Sequence, residues 1–308
     1  MTNKRKRQYR IRNWRDYNSA LVRRGSLTLW VEQRAVNRWR ERSRPARRGR
    51  RRLYSDLAIT CALVLREVYH LPLRSTQGLV SSVLRLLGTD LPAPHYSTLS
   101  RRAAHLEVKL PRLSTGPLHL AVDSTGVKLY GEGEWKVRLH GSDKRRTWRK
   151  LHLLIDHRTQ EALACSMTEQ YVLDRGELPG LLREVEGEVA EVLGDGAYDV
   201  HDCYKAIRAR GGRAVIPPQK RARVRSGAEF ADRNAAVLRG REVGRDEWKK
   251  EAGYHRRSLA ETAMMRLKTI FSDRLKSRAW KRQDTELRLR CAALNRMTTL
   301  GMPRSYAV

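Results

Sequence analysis

No run of about 18 apolar residues occurs in this sequence, so it lacks the length of hydrophobic chain that a membrane-spanning helix requires. The N-terminus also carries no apolar core of an export signal, and the expectation is a cytoplasmic protein. Cysteine is sparse: Cys61, Cys165, Cys203 and Cys291 stand far apart with no Cys-x-x-Cys pair, the usage of reduced thiols rather than of a disulfide framework. The nine histidines do not join them at zinc-finger spacing, so any metal is expected to be a hard ion held by oxygen. Acidic residues are the third shortage. Against 64 Lys+Arg there are 33 Asp+Glu, a net charge of +31. A surface that repels itself so strongly calls for a polyanionic partner, and nucleic acid fits better than a membrane because the basic N-terminus shows no amphipathic anchor.

What is present suffices for a folded protein: 308 residues, 40% of them apolar. The charge is uneven. Residues 1–52 hold 19 Lys+Arg and 3 Asp+Glu, over half of the excess. Lys4, Arg5, Lys6 and Arg7, and the run Arg47-Arg48-Gly49-Arg50-Arg51-Arg52, are material for binding DNA phosphates, so residues 1–52 are expected to form a basic arm. Trp14, Trp30 and Trp39 among them are expected to pack a short helix near residues 28–42. Residues 53–113 read as an all-α, helix-turn-helix-like DNA-binding domain. Leu57, Cys61, Leu65 and Val68 mark one helical face, a second helix runs from an N-cap at Ser75 to a stop at Gly88, and a third follows Ser97 with Arg101 and Arg102 exposed for DNA. A helical bundle that only packs fits the same pattern.

Residues 114–308 change period. Strands are expected at 119–123, 148–156 and 161–168, a helix at 177–190, a strand at 191–193, a helix near 202–210 and a strand at 213–216. The order is that of an α/β domain with a hairpin-rich start and crossovers after it. Residues 219–253 are basic and weakly periodic, and are expected to be a loop that contacts DNA.

Chemistry concentrates in three carboxylates. Asp123 ends one apolar strand and Asp195 follows another, where the sites of open α/β sheets form. Glu261 shares a helical arc with Tyr254, Arg257 and Lys268, at spacings of 3, 4 and 7 beside the apolar stripe Ala260, Met264, Leu267 and Phe271. Three carboxylates in one pocket need a cation, and oxygen ligation suits Mg²⁺, with Mn²⁺ as a substitute. Two such ions bridging a phosphate activate the attacking oxygen and stabilise the leaving one. An exposed Arg257–Glu261 pair is the plainer reading of the helix alone.

The Tyr-x2-Arg-x3-Glu-x6-Lys spacing resembles the signature of insertion-sequence DDE transposases. Asp123-Ser124-Thr125-Gly126-Val127-Lys128, Trp148-Arg149-Lys150-Leu151-His152 and Gly194-Asp195-Gly196-Ala197-Tyr198-Asp199 extend the likeness over most of residues 53–303. It is most similar to the insertion-sequence-five group. The resemblance implies an RNase H-like catalytic domain in which Asp123, Asp195 and Glu261 hold the metals and Tyr254, Arg257 and Lys268 grip phosphates at the transposon end. It implies hydrolysis at the element's 3′ ends, joining of those ends to target DNA, no covalent enzyme–DNA intermediate, and a homodimer on double-stranded DNA. Asp199 stands as an alternative second ligand. Trp248 is either a stabiliser of a flipped base, as in relatives of the wider group, or a core residue.

Overall fold

The structure is a computed structural model that describes residues 9–42, 52–110, 112–129 and 148–308. Lys4, Arg5, Lys6 and Arg7 lie outside the described residues, as does the run from Arg47 to Arg51. The chain divides into two units, residues 1–99 with 293–308 and residues 100–292.

The first unit opens with β1 (Tyr9–Ile11), α1 (Trp14–Arg23), α2 (Leu27–Trp30) and α3 (Gln33–Asn37). The helix expected at 28–42 is thus broken in two. Trp30 and Trp39 are buried, their indole N–H groups donating to the Arg24 and Pro92 carbonyls at 2.8 and 2.9 Å, whereas Trp14 is exposed. Next come α4 (Asp56–Val68) and α5 (Leu73–Leu86). Ser55 caps α4 by accepting the Ala58 N–H at 3.1 Å, and the buried face runs through Ala58, Cys61, Ala62 and Leu65, leaving Leu57 exposed. Helix α5 starts two residues before Ser75, because the Pro72 carbonyl accepts from both the N–H and the hydroxyl of Thr76. It ends as expected at Gly88, whose φ of 66° lets Thr89 N–H return to the Leu84 carbonyl. Helix α6 (Tyr96–Ala103) carries Arg101, exposed, and Arg102, half-buried.

The second unit is built on one mixed sheet. Strands β2 (Leu118–Leu129), β3 (Trp148–Asp156) and β4 (Glu161–Glu169) form an antiparallel meander, and β5 (Val189–Leu193) and β6 (Arg213–Val215) run parallel to β2. The order across the sheet is β4-β3-β2-β5-β6, and β7 (Arg274–Leu275) pairs with the far end of β2. On one face Leu118, Leu120, Val122 and Leu154 pack with α7 (Leu178–Glu184) and α8 (His201–Ala209), the crossover helices on either side of β5. Side chains alternate along a strand, so Ala121, Asp123, Leu153 and Ile155 belong to the opposite face. A mixed sheet flanked by helices in this order fits an RNase H-like fold.

Three expectations need correction here. Strand β2 does not stop at Asp123: its polar continuation stays in register with β3 as far as Lys128 opposite Trp148. The helix expected at 177–190 ends at Glu184, and β5 begins at Val189. Residues 219–253 are not one loop but contain α9 (Ala231–Glu242) and α10 (Arg245–Glu251). Their periodicity is faint because α9 buries little besides Arg233, Ala236 and Val237. Helices α11 (Ser258–Phe271) and α12 (Trp280–Leu300) follow, and the C-terminal β8 (Ser305–Ala307) pairs antiparallel with β1 in the first unit. No described helix is long and apolar enough to cross a membrane.

Candidate active site

The parallel register between β2 and β5 aligns Ala121 with Leu193. Asp123 and Asp195 each lie two residues further on, so neighbouring strands carry both to the same level. Beyond that point β2 has no β5 partner, and the two strands part. Gly194 is required by a close approach: a Cβ there would stand 3.0–3.3 Å from the Tyr198 side chain. Asp195 caps the 3-10 turn Gly196–Tyr198 by accepting the Ala197 N–H at 2.9 Å, which fixes its carboxylate while leaving it half-buried.

Asp199, the alternative ligand, is enclosed. Its Oδ1 accepts from Arg233 Nε at 2.7 Å and the Tyr204 hydroxyl at 3.1 Å, and its Oδ2 accepts the Gln219 N–H at 3.0 Å. Asp199 and Arg233 are both 3% exposed. Both carboxylate oxygens are occupied in tying the turn after β5 to α9.

The third acid arrives from α11, whose buried Ala260, Ala263, Met264, Leu267 and Phe271 pack it onto the sheet. Tyr254 and Arg257 do not extend this helix as expected. Gly253 adopts a left-handed conformation, Tyr254–Arg257 form a 3-10 turn, and the α-helix begins at Ser258. Even so, the turn brings Arg257 between two of the acids. Its guanidinium donates to Asp123 Oδ2 at 3.1 Å and also pairs with Glu261 Oε1. Asp123 is largely enclosed, whereas Glu261 is more than half exposed. The Tyr254 ring lies 5.9 Å from the Arg257 guanidinium, and burial raises its hydroxyl pKa, which keeps the proton in place. Lys268 is half-buried one turn from the end of α11; the hydrogen bond from Lys128 holds the Asp273 carboxyl below its ordinary range, and the Lys268 charge adds to this in smaller measure. The turn and α11 thus bring Arg257 and Glu261 to Asp123, with Tyr254 beside Arg257 and Lys268 further along. Asp195 is near enough for its charge to act on Asp123, but the three acids do not bring their ligand atoms within 4.8 Å of one another.

Burial raises the pKa of Asp123 above the ordinary value; the Ser124 N–H at 2.8 Å and Arg257 oppose the rise, and Glu261 and Asp195 add to it. Asp123 therefore carries its negative charge at a cost, which an added cation would offset. Oxygen-only donors and this electrostatic demand fit a hard divalent metal.

Trp248 on α10 is buried, with its ring centroid 6.5 Å from that of Tyr254. A cleft of about 380 Å³ opens beside it, lined in part by Lys220, Arg241 and Arg245.

A second polar cluster escaped the sequence reading. His119, His157 and Glu191 meet on the same face of the sheet, their ligating atoms within 4.8 Å of one another. Glu191 also takes Arg256 at 3.0 Å and Arg213 at 2.8 Å. Among the described residues this is the group whose ligand atoms lie close enough to share a metal ion, although the two guanidiniums on its one carboxylate oppose a further cation there. The signal in the sequence was a lone glutamate inside the apolar strand Val189-Ala190-Glu191-Val192-Leu193. A buried charge of that kind must find partners.

An RNase H-like sheet with acids on adjacent strands and on a covering helix belongs to the class of metal-dependent nucleic-acid enzymes. A family model described as "Transposase DDE domain" matches residues 114–296, and a second with the same description matches residues 22–132. The chain therefore belongs to the DDE transposases, metal-dependent enzymes that cleave DNA. No solved structure matches it.

Proposed function

We propose that Asp123, Asp195 and Glu261 hold two Mg²⁺ ions, replaceable by Mn²⁺, and that the protein hydrolyses the 3′ ends of its own insertion sequence and joins them to target DNA. The observation that carries this reading is Arg257 held between Asp123 and Glu261, with the charge of Asp195 also acting on Asp123. Bound there, the ions would activate the attacking oxygen and stabilise the leaving one. Asp195 is favoured over Asp199 as the second ligand because Asp199 has both oxygens engaged by protein donors.

The chain's own residues then have distinct tasks. Arg257 has several N–H donors and a phosphate is a stronger acceptor site than water, so it is assigned to the scissile region of the transposon end. Tyr254 keeps its proton and offers a hydroxyl to a phosphate oxygen, a positioning contact rather than a nucleophile. Lys268 supplies a cation further along the same DNA. With Glu261 these three are read as the Tyr-Arg-Glu-Lys signature of the insertion-sequence-five group. Arg101 and Arg102 on α6, the helices of residues 53–113 and the basic arm of residues 1–52, with Lys4, Arg5, Lys6 and Arg7, are assigned to recognising the terminal inverted repeats. Two ends must be held together for joining, so a homodimer on DNA is part of the proposal, as is action in the cytoplasm. Trp248 is assigned to packing α10 rather than to a flipped base, since it is buried.

The test is a reaction of purified protein with Mg²⁺, DNA bearing the terminal inverted repeats and a target plasmid. Strand transfer that disappears in Asp123→Ala is the expected outcome. Nicking without joining would assign a nuclease instead, and binding without either would assign a DNA-binding descendant of a transposase.

A further inference from the structure

We infer that Glu191 and Arg256 form a positioning pair that fixes the Tyr254–Arg257 turn over the acids; the inference rests on the reading of Asp123 as a metal-holding residue. Arg256 and Arg257 are consecutive, yet they grip two different strands. Arg257 reaches Asp123 on β2 at 3.1 Å, and Arg256 reaches Glu191 on β5 at 3.0 Å. A turn anchored to one strand alone could pivot about it. Anchored to both, it has one orientation over the gap where β2 and β5 part.

The anchor is built for rigidity. Glu191 is buried at the centre of three strands, with His119 of β2 and Arg213 of β6 as its cross-strand neighbours. Its Oε1 accepts from His119 Nδ1 at 3.0 Å and from His157 Nε2 at 3.1 Å, and its Oε2 accepts from Arg213 at 2.8 Å. The His157 N–H in turn bonds the His119 carbonyl at 2.8 Å, so the two imidazoles are tied through their backbones as well. Every donor but Arg256 comes from the sheet or the turn after β3. Among the described residues, Arg256 supplies the hydrogen-bonded link from this hub to the turn.

At its other side Arg256 closes the turn itself. Its Nε donates to the Gly253 carbonyl at 3.1 Å. Gly253 has φ +65°, and a Cβ there would lie 2.5–2.9 Å from the Arg256 guanidinium. The guanidinium thus occupies the space a side chain would need, and the glycine admits it. One planar group links the residue that precedes the turn to a carboxylate fixed in the sheet. Arg256 is about one-third exposed, so it can be replaced without opening the core.

Arg256 acts through its neighbour and is not placed at the reacting atoms. Loss of the anchor should therefore slow turnover while leaving DNA affinity in place. Displacement of a catalytic group by about 1 Å typically lowers rates by about 100-fold, so a fall in kcat of roughly 10- to 100-fold is expected for Arg256→Ala.

The experiment uses the full chain with Mg²⁺ and DNA bearing the element's ends. It measures single-turnover cleavage, DNA affinity by anisotropy, and thermal unfolding for Arg256→Ala, Arg256→Lys, Glu191→Gln, the Arg256→Ala/Glu191→Gln double variant and Asp123→Asn. The proposal expects Arg256→Ala to lose turnover with affinity retained, Arg256→Lys to recover part of it through a single ammonium, and the double variant to be no slower than Arg256→Ala. Should Glu191→Gln fail to fold, the lysine rescue and the split between turnover and affinity still decide the matter. A folded Arg256→Ala that cleaves at the normal rate overturns the proposal. So does an Arg256→Ala that weakens DNA affinity in proportion to its lost turnover, the mark of a direct phosphate contact. Asp123→Asn separates the two levels. If it remains active, the reading of the acids fails and this inference with it; if it is dead while Arg256→Ala is unimpaired, only the positioning pair is refuted.

Discussion

Asp195 and Asp199 stand four residues apart at either end of one short turn, yet they live in different surroundings. Asp195 spends one oxygen on a local N–H, while Asp199 is closed in by Arg233, Tyr204 and the Gln219 N–H. Replacing Asp199 by Ala strands the buried Arg233 charge, and a loss of about 3–5 kcal/mol in stability is expected. Asp195→Ala should abolish cleavage and leave urea unfolding close to normal. The reverse pattern would exchange their roles. Asp123 carries a prediction of its own. Its folded pKa is raised, mainly by burial, so its contribution to stability is present in acid and is lost as pH rises through the folded value. Asp123→Asn, which removes the disfavoured charge, should unfold at the same or a higher temperature than the wild type at neutral pH without divalent ions, while being inactive. A clearly lower midpoint would show that the Arg257 pair outweighs the burial.

At the scale of elements, β5 is the strand on which the site depends. Its register with β2 levels the two aspartates, and Glu191 within it holds the turn before α11. Burial by itself would raise the Glu191 pKa, but the hydrogen bonds of His119, Arg213 and His157 and the charge of Arg256 bring it to about 2. A carboxylate below its ordinary 4.5 contributes stability above that pH, and the contribution is lost as pH falls toward 2. Burial also lowers the pKa of His157, despite the opposing Glu191 and Asp156, so its contribution too is lost as pH falls below 6.5. Both effects erode stability in acid. The melting temperature of Glu191→Gln should therefore start lower at pH 7 and decline less steeply from pH 7 to 3 than that of the wild type, by differential scanning fluorimetry; parallel curves would remove Glu191 as a source of the slope. Helix α11 is held by apolar packing, and Leu267→Ala, at a fully buried position, should cost about 2–5 kcal/mol.

At the scale of the whole molecule, charge governs encounter with DNA. A net +31 predicts tight, weakly selective binding at low salt. If Lys4, Arg5, Lys6 and Arg7 each neutralise a phosphate, removing them should reduce the slope of log affinity against log salt by about 3–4. An unchanged slope would take the basic arm off the DNA. Arg257→Ala gives the contrasting case, impairing cleavage far more than non-specific binding.

Composition and local pattern determined a good deal by themselves. An excess of cations set the partner class, because net charge is a sum that needs no coordinates. The alternation of strands and helices gave the layout of the second unit, and spacing and family likeness singled out Asp123, Asp195, Glu261 and Arg257, of which Arg257 meets Asp123 and Glu261. Tertiary structure decided the rest. The polar half of β2 and the weakly amphipathic α9 and α10 are held by their neighbours rather than by their own periodicity, so the sequence presented a short strand and a loop. Tyr254 and Arg257 left the expected helix because Gly253 starts a separate turn. The enclosure of Asp199 shows only in the fold, where Arg233, 34 positions away, closes over it. Glu191, His119, His157 and Arg256 are scattered along the chain and meet through strand register. Pairing across strands depends on which residues the sheet sets side by side, and that is fixed by the fold as a whole rather than by any local run of sequence.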